Sequence, residues 1–384
     1  MRIALAIMSL ELGGGGEHDV VNIAAGLKKA GHEPIVITSG GRLCKDVESN
    51  GVEVVLCPIN TRSLPKLYRN GRRLAEIAES HGIEVLNPQG VYPGISCYLA
   101  SRRLLKKGQA VPNIITIPML NRLKWWYYKL GAFMINRVAD HVIVESDCER
   151  LRLQRRGMNR PLTVLYNCFP PEKFASVTLS RQEVRRQMGW DDEKDGKKIV
   201  FIMPARMSVE KNHRLLFAAL GRPEVRAFDG RILCYLAGDG PLLEQNKALV
   251  AEANLDARVM FGGFRRDVPA LLKGADVYVL CSHYESMPLS IREGMEASLA
   301  VVSTDVGGIS EAVEDGRSGL LVPPNDPAAL AAAMAKLAGD AAMREAMGRR
   351  GRELCSEKFG YDNWISRTVE VFGQVRKQFV EKHS

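Results

Sequence analysis

The chain has 384 residues, 46% hydrophobic and 25% charged, too many for one ordinary core and suited to two domains of roughly 150 to 200 residues. No run of 18 apolar residues occurs, so no membrane-spanning helix is expected. The eight cysteines never come within three positions of one another, which excludes a CxxC redox pair or a locally spelled zinc knuckle and fits small core thiols in a reducing compartment.

The net charge of +9 falls in the first part of the chain: residues 1–170 hold 23 Lys and Arg against 14 Asp and Glu, and the remainder balances 30 against 30. The first half is therefore expected to meet something acidic, either a phosphate-bearing acceptor or an anionic membrane surface. Nucleic acid is disfavoured, because no RNP, helix-turn-helix or zinc-finger pattern accompanies the charge.

Arg2 to Ser9 predicts a buried strand rather than a secretory leader, since Glu11 and four glycines stand where a cleavage site would be needed. Glu17 to Ala30 predicts an amphipathic helix ended by Gly31, and Glu33 to Thr38 a second strand, which makes a βαβ unit. Further strands are expected at Val52–Cys57, Ile83–Leu86, Asn113–Ile117, His141–Val144 and Pro161–Asn167, with a helix at Gly71–Ser80. This alternation is that of a doubly wound α/β domain over residues 1–170.

Pro170, Pro171 and a charged stretch predict a linker over 171–196. Residues 197–360 restart with KKIVFIMPAR, RILCYLAGDG, ARVMFGGF, ADVYVLCS, LAVVSTDVGG and GLLVPP, short strands at helix-length spacing that predict a second Rossmann-like domain. Residues 361–384 read as a closing helix that either packs locally or crosses back onto the first domain.

Several stretches carry chemistry. Gly13 to Gly16 follow the first strand directly, so they form either a close-approach loop with N–H groups facing an anion or a plain tight turn. GGGGEHD lacks the third glycine of a dinucleotide fingerprint and the second strand ends TSGG without a ribose-binding acid, so an NAD enzyme is disfavoured. PARMSVEKNH sets Arg206 and Lys211 just past a strand, either to neutralise a diphosphate or as a solvated helix start with Glu210 as partner. In SHYESMPLSIREGMEA, Pro288 is expected as the first helical residue, with Glu285 in the preceding loop and Glu293 a turn inside, so both carboxylates are candidates to line one pocket. Cys281 ends an apolar run with no activating histidine and reads as a core thiol. No Asp-x-Asp occurs, so a metal-held diphosphate is not expected.

PARMSVEKNH, LAGDGPL, VMFGGF, the Glu-x7-Glu of ESMPLSIRE and STDVGGISEAVEDGRSGLLVPPND occur in that order. Together they resemble a retaining glycosyltransferase of family 4, strongly through the second half and more weakly through the glycine loop and the strand ending VIVES. The resemblance implies a GT-B fold, two Rossmann-like doubly wound domains facing across a cleft. It implies a cytoplasmic hexosyltransferase that takes a UDP- or GDP-sugar as substrate, needs no cofactor or metal, and serves a glycan or lipid-linked acceptor in bacterial envelope synthesis. By position, Arg206 and Lys211 are implied to bind the diphosphate, Glu285 the donor sugar and Glu293 the ribose. Ser286, Met287, Pro288 and Leu289 would meet the phosphates, Gly263 and Phe264 with Gly262 the base, and Gly14, Gly15 and Gly16 the diphosphate and sugar.

One departure is TIPML, with Pro118 where many members have a histidine; Asn121 and Arg122 are nearby substitutes. Two rival readings are a sugar-nucleotide epimerase or hydrolase of similar architecture, and a non-catalytic nucleotide-binding partner. NRLKWWYYKLG, with Arg122, Lys124, Lys129 and the aromatics Trp125, Trp126, Tyr127 and Tyr128, is either a membrane-docking stretch or a helix facing the core.

Overall fold

In the computed structural model, which describes residues 1–11, 14–118, 125–192, 196–228 and 230–384, the chain divides into two units. One is Met1–Pro170 with Gly360–Ser384, the other Pro171–Phe359. In the first unit, β1 (Arg2–Ile7), β2 (Glu33–Thr38), β3 (Glu53–Leu56) and β4 (Val85–Pro88) form a parallel sheet in the order β3-β2-β1-β4. The strands β5 (Ile114–Ile117), β6 (His141–Val144) and β7 (Leu162–Val164) follow in a parallel set, joined to β4 through the bridges Leu86 to Asn113 and Gln89 to Thr116. Ile3, Ala4, Leu5 and Ala6 of β1 are fully buried, because helices cover both faces of a parallel sheet and its strands read as unbroken apolar runs.

On one face pack Val20, Ala24 and Leu27 of the helix Gly15–Lys29 together with Ile365 and Phe372 of the closing helix Tyr361–His383. A side chain at Gly26 would begin 2.3 Å from Ile365 Cδ1, so glycine there lets the closing helix approach. Tyr361 Oη donates to the Asn22 carbonyl at 2.7 Å. On the other face lie Leu74 and Ala78 of the helix Leu64–Ser80 and Cys97, Ala100 and Leu104 of the helix Val91–Leu105. The helix expected from Gly71 begins seven residues earlier, after Ser63, because Pro65 has the fixed φ that suits a first helical turn.

In the second unit, β8 (Asp191–Asp192) and β9 (Gly196–Lys197) make a small antiparallel pair. The main sheet consists of β10 (Ile199–Pro204), β11 (Ile232–Ala237), β12 (Val259–Gly263), β13 (Val277–Leu280), β14 (Ala300–Thr304) and β15 (Gly319–Val322). Their order is β12-β11-β10-β13-β14-β15 with every pair parallel. The strand order reverses between β10 and β13, and the carboxyl ends of two such strands are where an open α/β sheet leaves room for a ligand.

The stretch 171–196 differs from the expected linker. It carries the helices Glu172–Ala175 and Arg181–Gln187 and belongs to the second unit. Ser180 and Glu183 close a reciprocal cap, while Arg181 and Arg185 reach Asp276 at 2.6 and 3.0 Å. Asp276 also accepts from the Val200 amide at 2.8 Å, so charges that read as part of a linker in the sequence clamp this segment to the foot of β10 and β13. Among the described residues no helix is long and apolar enough to cross a membrane.

Candidate active site

Beyond β10 the chain turns tightly under β11. A side chain at Gly238 would start 1.9 Å from the Ala205 carbonyl oxygen, so only glycine lets the two strand ends close together. Arg206 follows, half-buried, with no ion partner among the described residues. Lys211 ends the short 3-10 turn Val209–Lys211, and the helix opens only at His213. Asn212 between them has φ 48°, a left-handed conformation that asparagine tolerates better than most residues. That turn aims Lys211 Nζ at Glu285 Oε1, 2.6 Å away. Glu210, the alternative partner in the sequence, instead accepts the His283 amide on its backbone oxygen at 2.8 Å.

Glu285, only 7% exposed, lies in the loop after β13, and its Oε1 also accepts from Ser282 Oγ at 2.6 Å. Two donors on one oxygen fix the carboxylate's orientation. Removing Lys211 would leave a buried charge without its counter-ion, a loss of about 3–5 kcal/mol in buried pairs. The loop itself is pinned by Gly307 (φ 69°), where a Cβ would sit 1.9 Å from the Glu285 carbonyl oxygen, and by the Gly308 amide donating to the Ser286 carbonyl at 2.7 Å.

Ser286 and Met287 are buried, and Pro288 is the N-cap rather than the first helical residue, so the helix is Leu289–Glu296. The one-residue difference follows from the extended ψ of 122° at Pro288. Pro288 brings no side-chain cap to this helix, whose first-turn N–H groups have no partner within the helix and suit an anion. Glu293, also 7% exposed, projects from the helix and pairs with Lys173 Nζ. Tyr278 of β13 lies within electrostatic reach of both glutamates, and its hydroxyl donates to Ser290 Oγ at 2.7 Å. Burial raises the Tyr278 phenol well above its ordinary value, opposed by the Ser290 hydrogen bond, while the charges of Glu285 and Glu293 push it further up. One buried phenol thus feels both carboxylates.

Gly263 closes β12 in a left-handed conformation (φ 62°) and Phe264 beyond it is exposed. Gly262 has a packing role, since a Cβ there would meet Tyr235 Oη at 2.2 Å. In the first unit, Gly14 is the N-cap, and Gly15 and Gly16 already belong to the helix, so the expected open loop is shorter than its four glycines. Glu17 is the reason: its Oε2 accepts from the Gly14 amide at 3.3 Å and draws the helix start back into the glycines. Pro118 stands beside Gly16, 3.6 Å from where a Cβ would begin.

Gly13, Asn121, Arg122 and Lys124 lie outside the described residues, as do the side chains of Trp125 to Tyr128, so the docking stretch expected there has no structural account. Cys281 is fully buried, and burial raises its thiol pKa, which suits a core residue. Among the described residues no three His, Cys, Asp or Glu side chains group so as to hold a metal ion. Lys173 was missed in the sequence: PPEKF carries no periodic or motif signal, and its partner lies 120 residues away.

Residues 13–173 match the family model described as Glycosyltransferase Family 4, and residues 184–354 match Glycosyl transferases group 1. A curated relative, alpha-D-kanosaminyltransferase of Streptomyces kanamyceticus, is 27% identical over 228 residues, 58% of this chain and 57% of that protein. The chain thus aligns with little more than half the length of that relative. Among solved structures, Anabaena Alr3699/HepE in complex with UDP and glucose superposes with a TM-score of 0.81 at 20% identity, covering 97% of this chain and 99% of that one. WaaG, a glycosyltransferase involved in lipopolysaccharide biosynthesis, superposes at 0.73 and 16% identity over 96% and 99% of the two chains. With both halves matched in order and the doubly wound sheet of each unit observed, the chain belongs to the group 1, family 4 glycosyltransferases of the GT-B fold.

Proposed function

We propose that this glycosyltransferase moves a hexose from a UDP- or GDP-sugar to a glycan or lipid-linked acceptor, with retention at the anomeric carbon and without a metal. The observation that carries this reading is the Lys211–Glu285 pair at the strand-order reversal between β10 and β13. As the bond from the sugar's anomeric carbon to the phosphate oxygen breaks, negative charge grows on the diphosphate. Arg206, Lys211 and the first-turn amides of the helix Leu289–Glu296 supply fixed positive potential for it. Glu285 suits hydrogen bonding to the sugar rather than nucleophilic attack, because Lys211 and Ser282 already occupy one of its oxygens. The acceptor hydroxyl then attacks from the face the diphosphate leaves, and its proton passes to a leaving phosphate oxygen. Glu293 receives the ribose in this reading, and Gly263 and Phe264 border the base.

UDP as carrier is supported by the HepE complex, and a role in bacterial envelope polysaccharide or lipopolysaccharide synthesis on the cytoplasmic side by the likeness to WaaG. An acidic acceptor or an anionic membrane surface is supported by the helix Leu64–Ser80. It exposes Lys66, Arg69, Arg72 and Arg73 beside Leu64 at 72% and Tyr68 at 59% exposure.

A thermal-shift screen with a panel of nucleotide sugars, followed by transfer assays with and without EDTA and assignment of the product anomer by NMR, tests the reading. A matching donor raises the melting temperature, EDTA leaves transfer unchanged, and the anomer is retained; an inverted product or loss of transfer in EDTA overturns the mechanism. Pro118 beside Gly16 favours a second reading, nucleotide binding without transfer. Donor binding with no turnover on any acceptor selects it.

A further inference from the structure

Glu293 is held by a residue that none of the family's ordered motifs contains. Its Oε1 accepts from Lys173 Nζ, and it has no other side-chain partner among the described residues. Lys173 lies in the helix Glu172–Ala175 at the start of the second unit, directly after Pro171, whose φ of −61° sets the helix entry. The segment following it is fastened in turn: Lys273 Nζ donates to the Val177 carbonyl at 3.3 Å, and Arg181 reaches Asp276. The Lys173 side chain is one-third exposed and that of Glu293 one-tenth, so the ammonium is the more solvent-exposed member of the pair.

We propose that Lys173 is a positioning residue of the donor site, holding one oxygen of Glu293 so that the other is presented to the 2′- and 3′-hydroxyls of the nucleotide ribose. This rests on the donor-site reading of Glu293 given above. A carboxylate on a helix has a broad terminal torsion, and a vicinal diol needs one oxygen at a defined place to receive both O–H donors. An ammonium bound to Oε1 removes that freedom, and hydrogen bonds received by a charged carboxylate are stronger than those to a neutral acceptor. The same contact has an opposite reading, in which Lys173 competes with the ribose for Glu293, and the two predict opposite changes in affinity.

The test is calorimetry of UDP and of 2′,3′-dideoxy-UDP, or the guanine pair if the donor screen selects it, on the wild type, Lys173→Met and Lys173→Arg. Lys173→Met is expected to weaken UDP about tenfold, the scale of one charge-assisted hydrogen bond, and to leave the dideoxy nucleotide unchanged, so that discrimination between the two collapses. Lys173→Arg restores it. Equal loss of both nucleotides assigns Lys173 a merely structural role and overturns the proposal, as does unchanged binding of both; tighter UDP binding in Lys173→Met overturns it in favour of competition. Failure of the wild type to bind either nucleotide, or to prefer the ribose form, sinks the donor-site reading itself and this inference with it.

Discussion

The two units share a parallel, helix-covered sheet but deploy charge differently. The first holds 27 Lys and Arg against 17 Asp and Glu, and the second 26 against 27. In the first unit the excess stands on exposed helix faces such as Lys66 to Arg73, where it makes a long-range field that salt screens. Both units bury carboxylates, Asp19, Glu145 and Glu149 in the first and Glu285 and Glu293 in the second, but in the near-neutral second unit ion pairs join distant segments at and below the candidate site: Lys211 with Glu285, Lys173 with Glu293, and both Arg181 and Arg185 with Asp276. Net charge therefore marks the first unit as the one for which we propose an acidic partner, and the long-range pairs of Glu285 and Glu293 mark the second as the one for which we propose the donor site.

The largest expected effect tests the second unit. Arg206→Ala or Lys211→Ala should lower transfer about 10²-fold or more, the scale of losing one preorganised charge contact to a developing anion, while circular dichroism still reports a folded chain. Wild-type turnover in either variant would remove the diphosphate role and leave these cations as ordinary ion partners.

The two glutamates should separate next. Glu293→Ala weakens bare UDP or GDP about tenfold to thirtyfold, whereas Glu285→Ala spares the bare nucleotide and impairs binding of the intact sugar donor. If calorimetry finds equal loss of bare-nucleotide affinity in both, the division of labour is wrong.

A smaller effect concerns how the second unit tolerates protonation. His213 is buried with neither ring nitrogen hydrogen-bonded among the described residues, and burial, with Lys211 adding, lowers its pKa to about 4. The folded state thus holds the imidazole neutral while the unfolded chain takes up a proton near its ordinary value of 6.5. Stability from this group is full well above pH 6.5 and is lost as pH falls toward 4, by about 1 kcal/mol between pH 7 and 5.5. Urea midpoints of the wild type and His213→Leu measured at pH 7 and 5.5 should show the wild type losing that much more on acidification; parallel losses would dismiss the effect.

The smallest test belongs to the first unit. Arg69→Gln should reduce sedimentation with anionic vesicles about fivefold at low salt, since one basic residue near such a surface contributes about 1 kcal/mol, and should leave UDP affinity untouched. An equal change on neutral vesicles, or one insensitive to salt, would break the assignment of the exposed charge to an acidic partner.

Strands were the most legible part of the fold, because a strand buried on both faces must be a continuous apolar run: Glu33–Thr38 and His141–Val144 have the bounds that the pattern predicts. Helix starts were less legible. The helix before Gly71 reaches back to Leu64 through an exposed basic turn, and the helix Val91–Leu105 lacks a clean polar face and drew no prediction. In the candidate site, Arg206, Lys211, Glu285 and Glu293 stand out in the sequence because they sit just past apolar runs. Their partners do not stand out, because Ser282 and Lys173 have no spacing that distinguishes them from surface residues.

The sequence by itself determined two doubly wound halves, the side of the chain that carries the positive charge, and the short segments at strand ends where chemistry is concentrated, since burial and backbone turns impose those patterns locally. Only the tertiary structure decided which charge neutralises which. It turned a presumed linker into part of the second unit, gave Lys211 to Glu285 rather than to its neighbour Glu210, and brought Lys173 to Glu293 across 120 positions. The physical reason is that an ion pair inside a protein is chosen by which groups lose water together, and that depends on the packing of distant segments rather than on their order along the chain.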